Sequence, residues 1–193
     1  TKKLLSHYDI HKPTQSFHAH STLSKVDQVI DTLREGSNIA LVTDAGTPAI
    51  SDPGSLLVAK VRAALGSDVK IIAIPGPSAI TAALSIVGIS SGDFVFLGFL
   101  PHKKGRETLF KEIANTDRAV VFYESPHRII KSLASLVSHV SKDQPERKVS
   151  VARELTKIFE EVVQGTPEEV LKYFETNPEK ERGEFVVILW PRS

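Results

Sequence analysis

Asp44, Thr47, Ser51 and Asp52 stand in a loop, Asp44-Ala45-Gly46-Thr47-Pro48-Ala49-Ile50-Ser51-Asp52-Pro53-Gly54, directly after the apolar run 38–43. A carboxylate or hydroxyl at a strand end accepts from ribose hydroxyls or an ammonium group, and a glycine-rich backbone comes close to a ligand. A second loop of the same kind, Pro75-Gly76-Pro77-Ser78-Ala79, follows the apolar run 69–74. Ligands of open α/β folds bind at the carboxyl ends of strands, so the two loops together predict one small-molecule site. Either loop alone is equally well read as a capped turn, since Asp, Ser, Pro and Gly are ordinary turn residues. No G-x-x-x-x-G-K-[ST] or G-x-G-x-x-G pattern occurs, which removes the main support for P-loop and Rossmann readings, and Gly76-Pro77-Ser78-Ala79 makes no hydrolase elbow because Ile80 stands where the closing glycine is needed.

Further groups with chemical potential lie downstream. Glu124-Ser125-Pro126-His127-Arg128 ends one apolar run and opens a helix, with Ser125 as a cap and Pro126 in the first turn. Arg153-Glu154-Leu155-Thr156-Lys157 follows another run, as a solvated turn or as a source of substrate contacts. Lys103, Lys104 and Arg106, with Arg128 and Lys131, are cations that attract phosphates or simply cover a solvated linker. His18-Ala19-His20 places two imidazoles on one face of an extended segment, as surface residues or polar substrate contacts; without a third ligand at a clear spacing, no metal is expected.

The elements that must position these groups alternate. Val26, Val29, Ile30 and Leu33 form one stripe of a helix over 23–35 that Gly36 ends. Strands are expected at 38–43 and 69–74, with helices at 55–65 and 78–87 between and after them, which argues a mostly parallel sheet. A strand at 94–100 follows, and the segment Pro101-His102-Lys103-Lys104-Gly105-Arg106 reads as a domain boundary. Beyond it, helices are expected at 107–114, 126–140 and 168–175, and strands at 119–123, 148–153, 159–164 and 185–190. The closer strand spacing of this half predicts a mixed sheet. The chain is therefore expected to form two α/β domains, 1–100 and 101–193.

The composition is that of a soluble globular protein, 41% hydrophobic and 24% charged. A net charge of +1 leaves no global field for nucleic acid, so any RNA surface must be a local patch. Cysteine is absent, which excludes disulfides, thiolate metal sites and thiol nucleophiles, and agrees with a cytoplasmic protein. No apolar run reaches the roughly 20 residues that span a bilayer. Methionine is absent as well, so the numbering is expected to begin inside a longer protein.

The ordered set Thr43 to Gly54, Ile74 to Ala79, Phe122 to Arg128 and Ala152 to Lys157 resembles the tetrapyrrole (class III) methylase superfamily, in its ribosomal RNA branch. The resemblance implies two α/β domains with S-adenosylmethionine folded in the cleft between them, in a homodimer. It implies methyl transfer to the ribose 2′-oxygen of a cytidine in small-subunit ribosomal RNA, free or within the 30S subunit. Carried over residue by residue, the cofactor is expected at Ala45, Gly46, Thr47, Pro48, Ile50, Ser78 and Ala79, and at Glu124, Leu155 and Glu184. Thr47 stands where the superfamily's Gly-Gly-Asp-Pro loop has an acidic residue, so a hydroxyl or backbone contact replaces a carboxylate there. The family's opening strand and Pro-Ile-Gly-Asn-Leu segment precede the point where this sequence starts. Its His-Glu-His-Asn segment stands here as His18-Ala19-His20-Ser21.

Methyl transfer from a sulfonium is an in-line displacement that depends on near-attack geometry, and a ribose hydroxyl needs help to lose its proton. The expected catalytic residues are Asp44, Glu124, Glu154 and Lys157. Asp44 and Glu124 act as base or orienter, while Arg153 and Lys157 hold phosphate or stabilise the alkoxide. His18, Lys103, Lys104, Arg106, Arg128 and Arg153 are the expected RNA contacts. The alternatives are a methylase of a small tetrapyrrole and a non-catalytic RNA- or ribosome-binding module.

Overall fold

The computed structural model describes residues 1–18, 23–51, 54–90 and 92–192 of the chain. They divide into two compact units, Thr1–Ser78 and Ala79–Ser193.

The first unit contains α1 (Lys2–His7), α2 (Leu23–Arg34) and α3 (Ser55–Leu65). Val26 and Ile30 of α2 pack on Leu57 and Val61 of α3, each pair four residues apart and so on one helical face. Leu41 and Val69 complete this small core from the two apolar runs. Gly54 precedes α3 with φ 147°, and a Cβ there would stand 2.8 Å from Leu41 Cδ2.

This unit departs from the expected parallel sheet. Neither 38–43 nor 69–74 belongs to a strand among the described residues. Ile39, Val42, Ile71, Ile72 and Ile74 are exposed, Ile74 by 78%, and only Leu41 and Val69 reach the core. A β-branched run favours a strand because it fits a pleated, half-buried surface beside paired neighbours. Here the runs lack that ladder and remain extended loops.

The second unit runs α4 (Ala79–Val87), β1 (Phe94–Phe99), α5 (Arg106–Asn115), β2 (Ala119–Glu124), α6 (Ile129–Leu136), β3 (Val149–Arg153), β4 (Glu161–Gly165), α7 (Pro167–Thr176) and β5 (Phe185–Leu189). The five strands form one mixed sheet in the order β1-β2-β5-β3-β4, with β1 and β2 parallel and the other pairs antiparallel. The units divide after Ser78 and not at 101–106, because β1 is hydrogen-bonded to β2 and α4 packs on this same sheet.

Strand alternation serves two cores. Val120, Phe122, Val149, Val151, Val187 and Leu189 meet Phe110, Leu133, Leu136 and Phe174 from α5, α6 and α7. Val121, Ala152, Val186 and Ile188 point to the opposite face, where Ile80, Ala83 and Val87 of α4 cover them. A π-helical turn, Val137–Ser141, continues α6. The helix starts at Ile129 and not at Pro126: the Ser125 carbonyl accepts from the Arg128 and Ile129 amides, and Arg128 is the cap residue. At α7, Thr166 and Glu169 form a reciprocal capping box with Pro167 in the first turn.

Candidate active site

In the first unit the two loops approach each other. A Cβ on Gly46 would lie 3.5 Å from the Pro77 carbonyl oxygen, and one on Gly76 would lie 3.8 Å from Thr47 Oγ1. Gly46 has φ 74°, a conformation glycine adopts at little cost. The loop begins with an internal tie: the Thr43 hydroxyl donates to the Ala45 carbonyl at 2.7 Å and accepts from the Ala45 amide at 3.1 Å. Asp44, Ala45, Gly46 and Ile50 are exposed, and Thr47, Pro48 and Ser78 are half-buried. Ala49 holds φ 67°, an uncommon left-handed alanine at the loop's far side. His18 is exposed, while His20 and Asp52 lie outside the described residues.

In the second unit one end of the sheet gathers most of the remaining candidates. Glu124 at the end of β2 pairs in register with Phe185, and so does Arg153 at the end of β3. Arg153 is in turn the register partner of Glu161. Glu184, Glu154 and Leu155 flank these positions in the chain. Ala79 is exposed at the start of α4.

Glu124 is 2% exposed and points toward α6. Its Oε1 accepts from the Ser125 amide at 2.8 Å and forms an ion pair with Arg128 Nε at 2.8 Å, and its Oε2 accepts from the Ser132 hydroxyl at 2.5 Å. Arg106 Nη2 donates to that same hydroxyl at 2.8 Å. The two arginines then turn to the backbone after β1. Arg128 Nη1 donates to the Leu100 carbonyl at 2.8 Å, and Arg106 Nη1 donates to the Pro101 carbonyl at 3.2 Å. Burial pulls the Arg106 pKa below the usual arginine value, against the opposing pull of Glu124. These three candidates thus form one buried network that fixes the 100–106 loop, while Lys103 and Lys104 on that loop are exposed.

A second network joins Glu154, Lys157 and Glu184. Lys157 Nζ donates to Glu154 Oε1 at 2.8 Å and to Glu184 Oε2 at 2.9 Å. Glu154 and Glu184 also exchange backbone contacts: the Glu154 amide donates to the Glu184 carbonyl at 3.0 Å, and the Glu184 amide donates to Glu154 Oε1 at 2.9 Å. The Lys157 hydrogen bond holds the Glu154 carboxyl below the usual glutamate value, and the Glu154 hydrogen bond holds Lys157 above the usual lysine value. Glu154 and Thr156 both have positive φ, 50° and 67°, which is costly for a β-branched threonine. The Glu160 carboxylate accepts from the Thr156 amide and closes the turn. Leu155 is turned inward against the core beneath α4.

Arg153 is spent on structure. Its Nε donates to Glu161 Oε1 at 2.7 Å and its Nη1 to the Arg182 carbonyl at 3.2 Å. Glu161 Oε2 also accepts from Tyr173 and Lys180, each at 2.9 Å. Burial pushes the Glu161 carboxyl up, but the hydrogen bonds from Arg153, Lys180 and Tyr173 outweigh it and leave the pKa lowered.

The sequence reading did not single out the aromatic group at the same end of the sheet, where Tyr123 meets Phe96 and Phe99 with ring centroids at 5.1 and 5.4 Å. The available signal is Gly98, since an isolated glycine inside a strand pattern marks a bulge. Among the described residues no group of three or more His, Asp or Glu is arranged to hold a metal ion, and no helix is long and apolar enough to cross a membrane.

Known proteins resemble this chain in sequence and in fold. Residues 1–171 match the family model of the Tetrapyrrole (Corrin/Porphyrin) Methylases. The Ribosomal RNA small subunit methyltransferase I of Vibrio cholerae is 44% identical over 191 residues, 98% of this chain and 64% of its own length. The crystal structure of the methyltransferase CobJ superposes with a TM-score of 0.64 at 20% identity, over 97% of this chain and 80% of that one. A uroporphyrin-III C-methyl transferase from Thermus thermophilus, complexed with S-adenyl homocysteine, gives 0.56 at 14% identity, over 94% and 78%. Likeness at such identities concerns the fold alone. The chain belongs to the tetrapyrrole methylases, in the branch whose curated members carry the name Ribosomal RNA small subunit methyltransferase I. It spans about two thirds of the length of the first of those relatives.

Proposed function

We propose that this protein transfers a methyl group from S-adenosylmethionine to the ribose 2′-oxygen of a cytidine in small-subunit ribosomal RNA. The observation that carries the reading is the meeting of Gly46 and Thr47 with Gly76 and Pro77, in a branch of close relatives named for ribosomal RNA methylation. The two loops fit a nucleoside cofactor because they offer small residues, backbone groups and the Thr47 hydroxyl without a bulky side chain in the way. The resemblance assigns Ala45, Gly46, Thr47, Pro48, Ile50, Ser78, Ala79, Leu155 and Glu184 to it. S-adenosylmethionine supplies an electrophilic methyl group on a sulfonium.

The protein's own residues then have distinct tasks. Asp44, exposed at the loop's start, is the assigned acceptor of the ribose hydroxyl proton. Lys157 keeps its proton, since two carboxylates hold it as a cation, so it acts by charge on a phosphate or a developing alkoxide and not as a base. Glu154 orients Lys157. Glu124, Arg106, Arg128 and Arg153 are assigned to holding the site's walls, because their polar groups are taken up in buried networks. His18, Lys103 and Lys104 remain the exposed RNA contacts. A cytoplasmic homodimer acting on the 30S subunit is the matching context.

The test is transfer of labelled methyl from S-adenosylmethionine to small ribosomal subunits, with the product nucleoside identified after digestion. A 2′-O-methylcytidine is the expected product, and Asp44→Ala is expected to lower its formation in a folded protein. Methylation of a tetrapyrrole in place of RNA would overturn the assignment.

A further inference from the structure

We propose that Phe99 is a stacking platform for a base of the RNA substrate, re-aimed by a backbone bulge and flanked by the phosphate-binding lysines 103 and 104. The inference rests on the RNA reading above. Phe96 of β1 stands opposite Val121 of β2, yet Phe99 stands opposite Tyr123, so three steps on β1 match two on β2. The surplus is absorbed beside Gly98, whose φ of 63° is the left-handed conformation such bulges use. The consequence is a change of face. Leu97 packs into the core beneath α5, α6 and α7, and Phe96 packs on the α4 side. Strict alternation would send Phe99 to the face of Leu97. The bulge returns it to the face of Phe96 and Tyr123, where its ring touches Tyr123 and remains 54% exposed.

The platform is firmly mounted. The Leu100 and Pro101 carbonyls, immediately after Phe99, are held by Arg128 and Arg106. Arg128 rests on Glu124, and Arg106 reaches it through Ser132. Lys103 and Lys104 follow on the exposed part of the same loop, and no carboxylate occurs anywhere in 94–106. Lys103 and Lys104 lie four and five residues from Phe99, and five residues of chain reach at most about 18 Å, so the cations stand within two or three nucleotides of the ring. An exposed aromatic face beside exposed cations is the chemistry of single-stranded nucleic acid binding, in which bases stack and phosphates are neutralised.

The test uses the full-length protein and its Phe99→Ala, Phe99→Leu and Phe99→Trp variants. Three quantities are read: affinity for a short single-stranded RNA oligonucleotide, KM for small subunits, and affinity for S-adenosylmethionine. Alanine and leucine are expected to weaken RNA binding about tenfold, in the range of base–aromatic stacking, and tryptophan is expected to restore it. Cofactor affinity is expected to stay unchanged. Lys103→Ala and Lys104→Ala are expected to flatten the salt dependence of RNA binding. Wild-type RNA affinity in folded Phe99→Ala or Phe99→Leu would overturn the platform, and so would an equal loss of cofactor affinity. A wild-type protein that methylates no subunit RNA would overturn the assigned reaction instead, while the oligonucleotide measurement still decides the role of Phe99.

Discussion

Arg153 and Glu161 face each other across β3 and β4 as register partners, with Arg153 Nε 2.7 Å from Glu161 Oε1. Both are largely buried, and the pair ties the end of the sheet to Tyr173 on α7 and to Lys180. An arginine that sequence reasoning offers to RNA is therefore a strut beneath the Glu154–Lys157 turn.

The first prediction concerns acid. The lowered pKa of Glu161 means that the folded state holds the carboxylate more tightly than the unfolded chain does. Its stabilisation is complete above the ordinary glutamate value of 4.5 and is lost as pH falls through the lower folded value. Glu161→Gln is expected to cost about 1.5–3 kcal/mol at neutral pH, the range for hydrogen bonds to charged groups. The gap to wild type should close below about pH 4.5 in urea unfolding series. A gap that stays constant down to pH 3 would show that charge at Glu161 is not the source.

Glu124 yields a second prediction, because its substitution separates support from catalysis. Glu124→Ala strands the Arg128 guanidinium, whose side chain is only 13% exposed, without its carboxylate. Breaking a buried pair from one side costs about 3–5 kcal/mol. Activity and thermal stability are expected to fall together, and a lower assay temperature should recover part of the activity. A variant of wild-type stability with no methyl transfer would instead make Glu124 a participant in the chemistry.

The second unit was largely legible in the sequence, and the first was not. All five strands of the mixed sheet follow apolar runs, and α7 announces itself through Thr166, Pro167 and Glu169. The two runs of the first unit have equally strong β character, but a strand exists only with a ladder partner, and pattern alone does not supply one. The loops after them were legible for a different reason: Pro and Gly dictate local backbone, so the approach of Gly46 to Pro77 survives without the strands. Charged residues were legible by type but not by role. Arg106, Arg128 and Arg153 look like free cations in the chain, and only their distances reveal them as satisfied partners of Glu124, Ser132 and Glu161. Arg147 carried no signal at all, yet it is 3% exposed and donates to the carbonyls of Ala114, Thr116 and Trp190. Burial, with Arg192 nearby, lowers its pKa to about 10.

A third prediction tests the loop pair. Gly46 has room for a methyl group, since the Pro77 oxygen would sit at ordinary contact distance, but its φ of 74° strains an alanine. Left-handed backbone costs a residue with a Cβ about 1–2 kcal/mol, and relaxing it turns the loop's amides away. Gly46→Ala is expected to fold and to bind S-adenosylmethionine about tenfold more weakly by calorimetry. Unchanged affinity in the folded variant would place the cofactor elsewhere.

Gly183 gives the last prediction, and it reaches the site through backbone alone. Its φ is 108°, and a Cβ there would stand 2.5 Å from Glu154 Cγ and 2.7 Å from Glu154 Oε1. The carboxylate cannot yield without releasing the Glu184 amide and Lys157, both of which bind that oxygen. Gly183→Ala is therefore expected to set Lys157 free of one of its two carboxylates and to loosen the turn carrying Thr156. Because the turn lies at the exposed end of the sheet, global unfolding should move little. Methyl transfer should fall at least tenfold if Lys157 has the role assigned to it, with kcat carrying most of the loss. Glu154→Gln keeps the shape and removes the charge, so it should reproduce the kcat effect without the backbone strain. Full kcat in both variants would remove Lys157 from the reaction and leave the Glu154–Lys157–Glu184 network as a clasp on the end of β5.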